Sequence, residues 1–74
     1  MQRHVNGAAV RAIRLALGIP QQDLAARSGI SRSHMNKIES GAEQPKFETA
    51  VRIAAQLGVA VDAVTYPVPD VVTA

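Results

Sequence analysis

Gly18, Gly29, Gly41 and Gly58 punctuate this 74-residue chain at short intervals. Between them the apolar residues recur at helical rather than strand spacing. A chain cut this way cannot build a long helix or a coiled coil. It must fold as a cluster of short helices whose apolar faces meet in one small core.

The segments read as follows. From Asn6 to Gly18, Val10, Ile13 and Leu17 recur at i, i+3, i+7, with Asn6 placed to cap the start and Gly18 to end it. Pro20 precedes a second helix over about residues 21–28, with Leu24 and Ala25 facing inward. Gly29 follows as the residue for a left-handed turn, where a side chain would cost about 1–2 kcal/mol. Ser31 can cap a third helix, about 32–40. Met35 and Ile38 point inward there, and Arg32, Ser33, Asn36, Lys37 and Ser40 occupy the opposite side. A fourth helix is expected over about 46–57, with Phe47, Val51, Ala54 and Leu57 as its stripe, and a fifth over about 61–65. The end of the chain, YPVPDVVTA, cannot be helical around Pro67 and Pro69, and its VVT is too short for a sheet alone. The expected fold is therefore all-α. Five short helices form one domain over residues 1–65, with an extended tail over 66–74.

Composition narrows the function. There is no cysteine, and His4 and His34 stand far apart with no ligand partners at metal spacing, so neither a disulfide nor a metal site is expected. No glycine-rich phosphate loop and no acid–base pair is present, which argues against an enzyme and against a cofactor. No apolar run reaches the roughly 18 residues of a membrane span, and the N-terminus lacks the apolar stretch of a secretion signal. A soluble, cytoplasmic protein is expected.

Charge is uneven. Residues 1–40 carry Arg3, Arg11, Arg14, Arg27, Arg32 and Lys37 against Asp23 and Glu39, while residues 41–74 are net acidic. The basic half can present one face to a polyanion. Two short helices joined by a glycine turn, the second polar and basic outside, suit insertion of that second helix into the major groove. There, arginine pairs with guanine and asparagine with adenine.

On these residues the chain resembles the lambda-repressor-like, Cro and Xre-type helix-turn-helix regulators. The resemblance is carried by IPQQDLAARSGISRSHMNKIESG (residues 19–41), Pro45 and FETAVRIAAQLGVAVDAV (residues 47–64). With Val10, Ile13 and Arg14 it covers about residues 10–64. It implies that Gln21 meets a DNA phosphate and that Arg32, Ser33 and Lys37 read base edges. Asn36 and His34 would touch bases or backbone beside them. Ser40, Gly41 and Gln44 would follow the DNA backbone, and Lys46 would lie by the minor groove. Arg14 and Glu39 would form an ion pair that braces the first helix against the third. Alternatives remain beside these roles: His34 either packs against the protein or meets a phosphate, and Arg11 is either a phosphate contact or a solvated charge. The Ser or Thr caps usual in the family are replaced by Pro20, Lys46 and Ala60, and many relatives carry glutamine where this chain has Arg32.

The expected function is a sequence-specific transcriptional regulator, a repressor of bacterial or phage type, bound as a homodimer to a palindromic operator in double-stranded DNA. The alternatives are an antitoxin that also binds a toxin protein, and the controller of a restriction-modification system. Val61, Val64, Tyr66 and Val68, with Val59, Val71 and Val72, form the candidate dimer or partner surface. The competing reading is that they cover their own core.

Overall fold

A computed structural model describes residues 2–68. The order is β1 (Gln2–Val5), α1 (Gly7–Ala16), α2 (Gln21–Arg27), α3 (Arg32–Ser40), α4 (Phe47–Leu57), a 3-10 turn (Val61–Val64) and β2 (Thr65–Val68). The four main helices fall where the glycine punctuation puts them. Asn6 Oδ1 accepts from the Ala9 N–H at 3.1 Å and Ser31 Oγ from the His34 N–H at 3.0 Å. Pro20, Lys46 and Ala60 stand at helix starts without a side-chain cap. Gly29 adopts φ +74°, the left-handed conformation of the turn between α2 and α3.

The all-helical expectation needs correction at both ends. The fifth helix is one 3-10 turn, and the segment after it is a strand. β2 pairs antiparallel with β1, Val5 opposite Thr65 and His4 opposite Tyr66. Residues 66–68 thus belong to the same folded unit as the helices, while 69–74 lie outside the described residues. A strand too short to stand alone finds a partner at the other end of the chain. The Asn6 N–H donates to the Val64 carbonyl at 2.7 Å and joins the ribbon to the core.

The core comprises Val5, Val10, Leu24, Ala25, Met35, Ile38, Ala50, Ile53, Ala54, Leu57 and Val64, with Ile13, Ile19, Ile30, Val59 and Val61 packed on its margin. Three expected apolar positions differ. Leu17 is exposed because α1 ends at Ala16 and the chain turns there. Phe47 and Val51 are also exposed. The inward stripe of α4 is Ala50, Ile53, Ala54 and Leu57, rotated by roughly 50° from the expected one at about 100° per residue. Val64, expected on a partner surface, is fully buried and Val61 packs against the core. From that set Tyr66 is exposed, and Val68, like Val61, is half-buried.

One glycine has a further task. Gly7 opens α1 directly against the last turn of α3. A Cβ there would collide with the Ile38 carbonyl oxygen and lie 2.8 Å from that of Glu39. The two helices can approach this closely only because residue 7 has no side chain.

Candidate nucleic-acid interface

α3 presents two chemically different sides. Inward, Met35 and Ile38 enter the core, and Glu39 is buried beside them. An isolated buried carboxylate would be costly, so Glu39 must be matched. Arg14, itself 7% exposed, supplies the match. Its Nε donates to Glu39 Oε2 at 2.8 Å and its Nη2 to Oε1 at 3.0 Å, a fork-to-fork pair. Its Nη1 donates to the Ile19 carbonyl at 2.9 Å, which ties the same guanidinium to the link before α2. Gln21, the first residue of α2, donates from Nε2 to Glu39 Oε1 at 3.3 Å. One carboxylate therefore ties α1, α2 and α3 together and fixes how α3 crosses α2.

Outward, Arg32, Ser33, Asn36, Lys37 and Ser40 are all exposed. Arg32 and Lys37 have no acidic partner among the described residues. Asn36 lies on the α2 side of this face: its Oδ1 accepts from Gln21 Nε2 at 3.5 Å, a long contact. Ser40 Oγ donates to the Lys37 carbonyl at 3.1 Å, and the Ala42 and Glu43 N–H groups donate to the same oxygen. This folds the loop after α3 back onto the helix. His34 is half-buried, with Nε2 3.6 Å from Glu43 Oε1, so it faces the loop's acid. Lys46 is exposed at the start of α4.

Gln44, expected along the DNA backbone, has its side-chain amide engaged within the protein. Its Oε1 accepts from the Val5 N–H at 2.8 Å and its Nε2 donates to the Val5 carbonyl at 3.1 Å. Val5 belongs to a non-hydrogen-bonded pair of the ribbon, so its N–H and C=O point away from β2. The Gln44 amide meets them as a neighbouring strand would. Its polar groups are thus committed to the outer edge of β1. On the other edge, Pro67 has no N–H, and Arg3 Nη2 donates to the Thr65 carbonyl at 3.3 Å while its Nε donates to Thr65 Oγ1 at 2.9 Å. Sequence reasoning missed Gly7, Arg3 and this role of Gln44. No short-range pattern marks them, because each acts on a segment distant in the chain.

Among the described residues, no group of three or more His, Asp or Glu side chains is arranged to hold a metal ion. No helix among them is long and apolar enough to cross a membrane.

α2, the Gly29 turn and α3, braced from behind by α1, make up a helix-turn-helix. The family model for helix-turn-helix domains matches residues 10–64, and the chain belongs to that family, in its lambda-repressor-like, Xre-type form. No curated protein matches the chain in sequence. Solved structures do. The restriction-modification controller protein C.AhdI from Aeromonas hydrophila is 28% identical at a TM-score of 0.75, over 77% of this chain and 86% of that one. The clp gene regulator ClgR from Corynebacterium glutamicum is 29% identical at a TM-score of 0.75, over 77% of this chain and only 62% of that one. The P22 c2 repressor protein, solved in complex with a synthetic operator, is 26% identical at a TM-score of 0.73, over 84% of this chain and 91% of that one.

Proposed function

We propose that this chain is a sequence-specific DNA-binding transcription regulator of repressor type that reads the major groove with the outer side of α3. The observation that carries this reading is the contrast across that helix. Its inner side is locked by a buried ion pair, while its outer side leaves Arg32, Ser33 and Lys37 exposed. A rigid helix with free cationic and hydrogen-bonding groups on one side is what base reading requires. Similarity to the P22 c2 repressor, a protein solved on operator DNA, supports it.

In this reading Arg32, Ser33 and Lys37 contact base edges. Gln21, Ser40 and Lys46 meet the sugar–phosphate backbone. Asn36 and His34 stand at the flanks. Arg14 and Glu39 act as a brace and touch no DNA. Gln44 is withdrawn from the DNA contacts, since its amide is engaged by Val5. The active species is a homodimer on a palindromic site, with its two α3 helices about 34 Å apart, one turn of the duplex. Tyr66 and Val68 on the ribbon are the remaining candidates for the dimer contact.

The likeness to C.AhdI favours a second biological role for the same chemistry, the control of a restriction-modification system. The antitoxin alternative rests on the tail, and no observation among the described residues favours it.

The test is protection footprinting on the DNA upstream of the protein's own coding sequence. Two protected half-sites centred one helical turn apart are expected, with arginine-dependent protection of guanines. Uniform, sequence-independent protection would remove the regulator reading.

A further inference from the structure

We propose that His34 and Glu43 form a pH-sensitive switch that strengthens DNA binding as the pH falls; the proposal rests on the DNA-binding reading above. Glu43 is the one acid in the loop between α3 and α4. That loop is folded back on the helix that carries the outer cations. The Ala42 and Glu43 N–H groups both donate to the Lys37 carbonyl, at 2.9 and 3.2 Å. The Glu43 carboxylate therefore stands close to the side of α3 that meets the duplex, where a negative charge repels phosphate. Among the described residues, neither Lys37 nor Lys46 forms an ion pair with it. The group that reaches it is His34, whose Nε2 lies 3.6 Å from Glu43 Oε1. The His34 backbone is fixed by its own N–H, which donates to Ser31 Oγ at the start of α3. The two side chains are 33% and 46% exposed, so both exchange protons with water and feel the field of a bound duplex.

Other charges stay out of this contact. Of those on the helices packed against α3, Arg14 is taken by Glu39, and Arg11, Asp23 and Arg27 make no ion pair with either His34 or Glu43. Histidine is the side chain that changes charge between about pH 5 and 8. When His34 is neutral, the Glu43 charge is uncompensated and opposes the duplex. When His34 is protonated, the contact becomes an ion pair without net charge, and the duplex phosphates favour that state further. The complex therefore takes up a proton, and affinity rises as the pH falls through this range. The switch acts through charge alone, so it scales binding to any duplex and leaves the preferred sequence unchanged.

Affinity is measured from about pH 8 down to about pH 5.5 at fixed salt, on the protected site and on a random duplex, for wild type, His34→Gln, Glu43→Gln and His4→Gln. Wild type should gain roughly two- to fivefold on both duplexes, the size of an exposed ion pair. His34→Gln should show a flat profile, whatever its absolute affinity. Glu43→Gln should bind more tightly than wild type at the alkaline end and gain less on acidification. His4, the other histidine, lies on the ribbon against Tyr66, so His4→Gln should keep the wild-type profile. A flat wild-type profile, or a pH dependence that survives in His34→Gln, overturns the switch and leaves the DNA reading standing. Absence of binding at every pH overturns both. In the free protein, the backbone N–H signal of Glu43 should move over the same pH range in wild type and stay in place in His34→Gln. Movement in both, or in neither, overturns the His34–Glu43 contact.

Discussion

The two sides of α3 treat their polar groups in opposite ways. On the inner side, Glu39 has a partner for each oxygen and brings three helices into one geometry. On the outer side, Arg32 and Lys37 have no acidic partner among the described residues. The difference teaches that polarity alone does not mark a binding surface. A polar residue is available to a ligand only when the protein has left its hydrogen bonds unmade. The inner side fixes where the outer side points, so substitutions on the two sides should separate stability from recognition.

The largest effect is expected at Gly7. Alanine there meets backbone rather than a movable side chain, so the loss should exceed the about 1–3 kcal/mol usual for overpacking. Against a whole stability of roughly 4–11 kcal/mol for a chain of this length, such a loss should lower the melting temperature of Gly7→Ala steeply, as circular dichroism would detect. A folded Gly7→Ala with a wild-type melting temperature would refute the close approach of α1 to α3.

Arg14→Ala comes next. It strands the Glu39 carboxylate in a buried site, for which about 3–5 kcal/mol is expected. At about 4–8 °C per kcal/mol the melting temperature should fall by well over 10 °C. The salt slope of DNA binding, measured below the new transition, should stay at its wild-type value. A changed slope with unchanged melting temperature would make Arg14 a DNA contact instead of a brace.

Gln44→Ala removes two hydrogen bonds and reopens the outer edge of β1, for an expected loss of about 1–2 kcal/mol by chemical denaturation. The Val5 amide should exchange faster with solvent. An unchanged exchange rate at Val5 would dismiss the strand-like pairing.

Ser28 gives the smallest effect and the opposite sign. It is 1% exposed, and its hydroxyl has no hydrogen-bond partner among the described residues. Ser28→Ala removes a buried, unmatched polar group and is expected to stabilise by about 1 kcal/mol. A destabilised Ser28→Ala would mean that the hydroxyl does have a partner.

Much of the helical unit was legible in the sequence because its signals are local. Asn6, Ser31 and the glycines mark ends within a turn of where they act, and Leu24, Ala25, Met35 and Ile38 follow the helical period. Arg14 and Glu39, whose side chains lie 2.8 Å apart, were paired through the family resemblance and by no local pattern. The ribbon was not legible, since β1 and β2 are four residues each and lie at opposite ends of the chain. Hydrophobic period carries no information about which distant segment pairs with which. The Gln44–Val5 contact was not legible for the same reason: the place of Gln44 in the loop after α3 suggests DNA, and its partner Val5 is remote in sequence. Phe47 and Val51 were misplaced because the large residues of α4 drew the stripe away from the small Ala50 that the core accommodates.

The central claim is that the outer side of α3 reads base sequence. Selection of bound duplexes from a random library, with wild type and Arg32→Ala in parallel, tests it most directly. Wild type should enrich a discrete two-fold-symmetric site containing guanines. Arg32→Ala, whose exposed side chain should alter stability by less than about 0.5 kcal/mol, should lose preference at particular positions of that site. Identical enriched sites for both proteins, or no enriched sequence with wild type, would contradict the account.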